Sequence, residues 1–121
     1  SKILPNRCNF GAEFQCLDYQ ISTTSGTFKL RLKNGIGEAI DVTSMALSTE
    51  SVTAYTCTTA PANPSGWKSG NVTDFTWSTC SGGGLTAGEK GKILVTIRYN
   101  SVVSGSGYTK EVKGEVFSAV I

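Results

Sequence analysis

Apolar residues recur at every second position along much of the chain, and no long segment shows them at helical spacing. The cleanest alternation is TFKLRLKN, where Phe28, Leu30 and Leu32 share one face and Lys29, Arg31 and Lys33 the other. It ends at Asn34-Gly35, a pair that tolerates positive φ and so reverses a chain cheaply. Before it, EFQCLDYQI reads as a strand with Leu17, Tyr19 and Ile21 on one face and Cys16, Asp18 and Gln20 on the other, followed by a turn at Thr24-Ser25-Gly26. In AIDVTSMALS, Ile40 and Val42 have one parity and Met45 and Leu47 the other. A bulge near Thr43-Ser44 would bring all four to the core face.

A short strand is expected over SVTAYTC, leading into the segment between Cys57 and Cys80. The first half of that segment is irregular, because Pro61 and Pro64 cannot join a central ladder; the second half, VTDFTW, has the β-formers of a further strand. After Ser81-Gly82-Gly83-Gly84, a plain turn without the helix and lysine of a phosphate loop, KILVTIRYN lines Ile93, Val95, Ile97 and Tyr99 on one face. Leu94 opposite them marks this strand as central. The last strand lies in YTKEVKGEVFSAVI. About seven strands with regular turns predict an all-β fold, an antiparallel immunoglobulin-like β-sandwich, as one domain over 1–121. Trp77 lies three residues before Cys80, so the cysteine-tryptophan-cysteine core of antibody domains is absent, and the sheet order is not specified.

Four cysteines and no histidine change the picture. The spacings Cys8 to Cys16 and Cys57 to Cys80 do not resemble zinc knuckles, and nothing else completes such a site, so disulfides in an oxidising, extracellular setting are expected. Three connectivities exist. Cys8–Cys16 with Cys57–Cys80 is preferred, since each pair brackets one irregular segment. Serine and threonine supply 29 residues against 20 charged ones, and the net charge is +2. The surface is therefore coated with hydroxyls, with no basic cluster beyond the Lys29, Arg31, Lys33 row, and no nucleic-acid partner is expected. No run of eighteen apolar residues is present, and the start at Ser1 reads as a processing site or a truncation.

Catalytic chemistry has no foothold in this composition. Without histidine, a serine or cysteine nucleophile lacks its commonest base, and the nine carboxylates are scattered singly, so no enzyme, metal or cofactor is expected. Asp18 reads as a solvated strand-face carboxylate or a local cap. Trp67 sits in a Pro/Gly/Ser loop. Either it folds back as that loop's own small core, or, with Tyr55 and Trp77 nearby, it offers rings that stack on surface glycans or anchor proteins, as in a carbohydrate-binding module. Asn71-Val72-Thr73 is an acceptor sequon for N-glycosylation; Asn63-Pro64-Ser65 is blocked by its proline.

The order CNFGAEFQCLDYQI, LRLKNGIGEAIDVTSMAL, a cysteine-bracketed loop, LTAGEKGKILVTIRY and a closing GEVFSAVI resembles the globular heads of archaeal type IV pilin-like proteins. The likeness runs from Cys8 to the end. In that family a class III signal peptide and a hydrophobic N-terminal helix precede a β-sandwich head. The resemblance implies an extracellular, cell-surface filament subunit with a structural or adhesive role, partnered with other subunits through that helix. Residues 1–7 read as the remnant of the junction to such a helix, which is expected to have been removed, and a head without it is expected to be a monomer. An immunoglobulin-like adaptor domain of a larger surface or viral protein is the further alternative.

Overall fold

The computed structural model describes residues 5–121, so the expected junction over 1–7 falls outside the described residues at 1–4. Eight strands follow in order: β1 (Arg7–Asn9), β2 (Phe14–Ser22), β3 (Thr27–Asn34), β4 (Ile40–Ser48), β5 (Thr56–Thr59), β6 (Val72–Ser81), β7 (Lys90–Ser101) and β8 (Lys110–Ala119). They form two four-stranded antiparallel sheets, ordered β1-β8-β7-β4 and β2-β3-β6-β5. The sandwich expected from the period-two pattern is thus the fold. Its topology is immunoglobulin-like as well: with β2 to β8 taken as seven strands in order, β2-β3-β6-β5 and β8-β7-β4 reproduce the two sheets of an immunoglobulin constant-type domain, and β1 is an added edge strand beside β8.

The alternation fixes which side faces inward. Phe28, Leu30 and Leu32 of β3, Phe75 and Trp77 of β6, Ile93, Val95, Ile97 and Tyr99 of β7 and Val112 and Val116 of β8 are all buried. Each such side chain contributes about 1.5–3 kcal/mol by leaving water. As Leu94 implied, β7 is central, paired with β4 on one side and β8 on the other. The bulge expected in β4 is present: Val42 pairs with Tyr99 and Ser44 with Arg98, leaving Thr43 as the extra residue.

Three expectations are corrected. A second bulge, between Cys16 and Asp18, makes Leu17 the extra residue of β2; Leu17 is 43% exposed, and Cys16 turns inward with Phe14 instead of outward with Asp18. Residues 51–55 are not a strand, and β5 starts only at Thr56. The reason is the glycine turn that packs on them: Gly82, at φ 82°, lies where a Cβ would overlap the Ala54 carbonyl, and the Gly83 N–H donates to Thr53 O at 3.2 Å. Finally, β1 was not foreseen. It has only three residues and pairs with β8 through Cys8 opposite Val116.

Both disulfides form as preferred. Cys57–Cys80 links directly opposed residues of β5 and β6 within one sheet, whereas Cys8–Cys16 joins β1 of one sheet to β2 of the other. Beside that second bridge the buried Phe10 rests on Gly114 of β8, where a Cβ would overlap its ring. Disulfides persist in oxidising compartments, and two of them in a chain with no free cysteine fit that setting.

Candidate functional site

The strand directions give the sandwich two poles. At one lie residues 5–6, the turns at 23–26, 49–55 and 82–89, and the end of β8; there Asn6 Oδ1 accepts the Ala119 N–H at 3.2 Å and a hydrogen bond from Lys90 Nζ. At the other lie the loops 10–13, 35–39, 60–71 and 102–109. The N-terminal strand therefore enters at the pole opposite the β7–β8 loop.

That loop carries the largest concentration of exposed apolar side chains: Val102 is 47% exposed, Val103 92% and Tyr108 71%. The segment SVVSGSGYT contains no charge. Its shape is set locally. The buried Ser101 Oγ accepts the N–H groups of Val103 at 3.2 Å and Ser104 at 3.4 Å, Gly105 N–H donates to Ser101 O at 2.9 Å, and Val102 N–H donates to Ala39 O at 3.0 Å. Its backbone is thus held while its apolar side chains face solvent, an arrangement suited to contact with another surface. In the sequence this stretch falls between two alternating strands, and two adjacent valines in a Gly/Ser turn are the only cue to it.

The rings expected as recognition aromatics do not form such a surface. Trp67, Trp77 and Tyr55 are only 4%, 3% and 8% exposed. Trp67 also does more than fill its own loop: it stacks on Phe14 with centroids 5.3 Å apart and meets Phe75 edge-on at 5.8 Å, inside the main core. Trp77 stacks on Phe28 at 5.2 Å. Burial pushes the Tyr55 phenol pKa up. The stacking-platform expectation is corrected accordingly, because rings enclosed by protein have no face to offer a sugar.

Trp67 is drawn in by backbone pairing. Its N–H donates to Ile40 O at 2.8 Å and its carbonyl accepts from Ile40 N–H at 3.0 Å, while Val42 N–H donates to Pro64 O at 2.9 Å, so the proline loop covers the free edge of β4. Asp41 Oδ1 accepts from Gly66 N–H and Ser65 Oγ at 2.7 and 3.1 Å. Asn34 is 1% exposed; its Nδ2 donates to Trp67 O and Glu38 O, and its Oδ1 accepts from Ile36 N–H. The Asn-Gly pair read as a chain reversal is therefore also the polar hub of this pole.

On the outer face of the second sheet, Asp18, Arg31 and Asp74 occupy one register row beside a shallow concavity of about 370 Å³. Arg31 Nε donates to Asp74 Oδ1 at 2.6 Å, and this hydrogen bond lowers the Asp74 pKa and raises that of Arg31. Asp18 Oδ1 accepts the Tyr19 N–H at 2.9 Å, a local cap on an exposed carboxylate. Among the described residues no group of three or more Cys, Asp or Glu is placed to hold a metal ion. Cys8, Cys16, Cys57 and Cys80 serve as disulfides, and Asn71 lies exposed on the pole of the β7–β8 loop. Comparison with protein-family models, with curated proteins and with solved structures finds no match in any of the three.

Proposed function

We propose that this domain is the solvent-facing head of an extracellular filament subunit of the archaeal type IV pilin-like kind, with a structural or adhesive role. The observation that carries the reading is the polarity of the sandwich: β1 is clamped at its Cys8–Cys16 bridge and leads away from one pole, while Val102, Val103 and Tyr108 stand exposed on the other. A subunit built into a filament through an N-terminal helix would present this second pole outward. Cross-linked, hydroxyl-rich sheets suit such exposure, because disulfides persist in oxidising surroundings and stabilise the fold by restricting the unfolded chain. The carbohydrate-binding alternative loses its support with the burial of Trp67, Trp77 and Tyr55.

Immunogold microscopy with an antibody to the folded domain tests the reading on cells that produce it. Labelled filaments are expected; label confined to the cell interior, or to a non-filamentous surface layer, overturns it. The adhesive arm is tested by replacing Val102, Val103 and Tyr108 together with serine. Attachment of cells should fall several-fold with filaments still assembled, and unchanged attachment leaves only the structural role.

A further inference from the structure

The exposed amide of Asn71 is the feature that the filament reading does not use. Of the asparagines in the chain, only Asn71 has a hydroxyl residue two positions on without an intervening proline. Its backbone is pinned to the core: the N–H donates to Lys68 O at 3.1 Å, and the carbonyl accepts from Asn34 N–H at 3.0 Å and from the buried indole Trp67 Nε1 at 2.9 Å. The side chain is exposed and has no hydrogen-bond partner among the described residues. The contrast with the blocked sequon is direct, for Asn63 Nδ2 is already committed to Thr43 O at 3.1 Å.

We infer that Asn71 is an N-glycosylation site, and that it is modified before β6 settles into its sheet. The order follows from Thr73. A transferase reads the hydroxyl two residues after the acceptor, and in the folded domain Thr73 is half-buried on the inward side of β6, paired opposite Leu32. Lys33–Val72 is the last rung of that ladder, so the acceptor lies at the strand's edge and its hydroxyl just inside it. The donor is an oligosaccharide carried on a lipid diphosphate. The Asn71 Nδ2 forms a bond to the anomeric carbon, the bond from that carbon to the diphosphate oxygen breaks, the lipid diphosphate leaves with the electron pair, and one amide proton passes to the transferase or solvent. The sugar would stand beside Val72, 48% exposed, on the same pole as the β7–β8 loop.

This inference requires export of the chain but not assembly into filaments, so the two can fail separately. The test is mass spectrometry of the protein from producing cells, focused on the peptide that begins after Lys68, for wild type and the variants Asn71→Gln, Thr73→Ala and Thr73→Ser. A sugar mass on Asn71 in most molecules is expected, lost in the first two variants and kept in Thr73→Ser. Unmodified Asn71, or modification that persists in Thr73→Ala, overturns the site. The timing is read by incubating the folded, unglycosylated domain with the transferase and lipid-linked donor: the native form should accept at least ten-fold less than the reduced, unfolded chain, and equal acceptance overturns the proposed order.

Discussion

The two flanks of the sandwich are closed by different means. Where β1 and β2 lie side by side, the seam is covalent: Cys8–Cys16 joins the sheets, Phe10 and Phe14 form a bridge next to it, and Ile121 N–H donates to Ile21 O at 3.0 Å. Where β4 and β5 form the opposite flank, no covalent bond crosses, because Cys57–Cys80 stays within one sheet. That side is shut by the loop 60–71, held by its pairing with β4 and by the Trp67 ring between Phe14 and Phe75. A short sequence separation suits a disulfide clasp, whereas a long irregular loop needs a large apolar side chain to anchor it.

The comparison breaks most severely at its noncovalent side. Trp67→Ala should cost about 3–5 kcal/mol, through lost burial and the cavity left between two phenylalanines. Urea denaturation with an unchanged slope checks it. Next come the two bridges. Loop-closure entropy for separations of 23 and 8 residues ranks loss of Cys57–Cys80 at about 3.4 kcal/mol and loss of Cys8–Cys16 at about 2.5 kcal/mol. Yet only the double serine variant of Cys8 and Cys16 should abolish hydrogen-exchange protection in Arg7–Asn9, since β1 has no other covalent hold. Equal global losses would show that crossing between sheets matters more than loop length.

A smaller effect is expected at Gly114, where an added methyl would displace the Phe10 ring. Gly114→Ala should cost about 1–3 kcal/mol and weaken β1 selectively. The smallest concerns charge. Glu115 accepts from Arg7 Nε at 2.9 Å, and that hydrogen bond lowers its pKa from 4.5, against a smaller desolvation cost. A carboxyl depressed by folding adds stability that is complete above its unfolded value near 4.5 and is lost as pH falls through the folded value. Glu115→Gln should therefore lose well under about 1 kcal/mol at neutral pH, as exposed pairs do, and the difference from wild type should shrink below pH 4.

The sandwich was legible in the chain because β3, β7 and β8 alternate without interruption, and the bulge at Thr43 because Ile40 and Val42 fall out of phase with Met45 and Leu47. The bulge at Leu17 was hidden by the opposite circumstance: Leu17, Tyr19 and Ile21 alternate so regularly that nothing in the pattern announces the extra residue. Trp67 escaped because local composition said loop, whereas its position is decided by partners 27 and 53 residues away in Ile40 and Phe14. The exposed valines of the β7–β8 loop escaped for the converse reason. Periodicity scores residues within strands, and a tip that projects apolar side chains outward lies between them.

The Cys8–Cys16 bridge also has a mechanical meaning. Tension arriving through the N-terminal end of the chain reaches Cys8 and passes through sulfur straight into the edge strand of the facing sheet, so the intervening residues 9–15 stay slack. Pulling on that end can peel at most the first few residues before it must shear β2 along its whole ladder with β3, and an anchored domain would yield at high force with little prior extension.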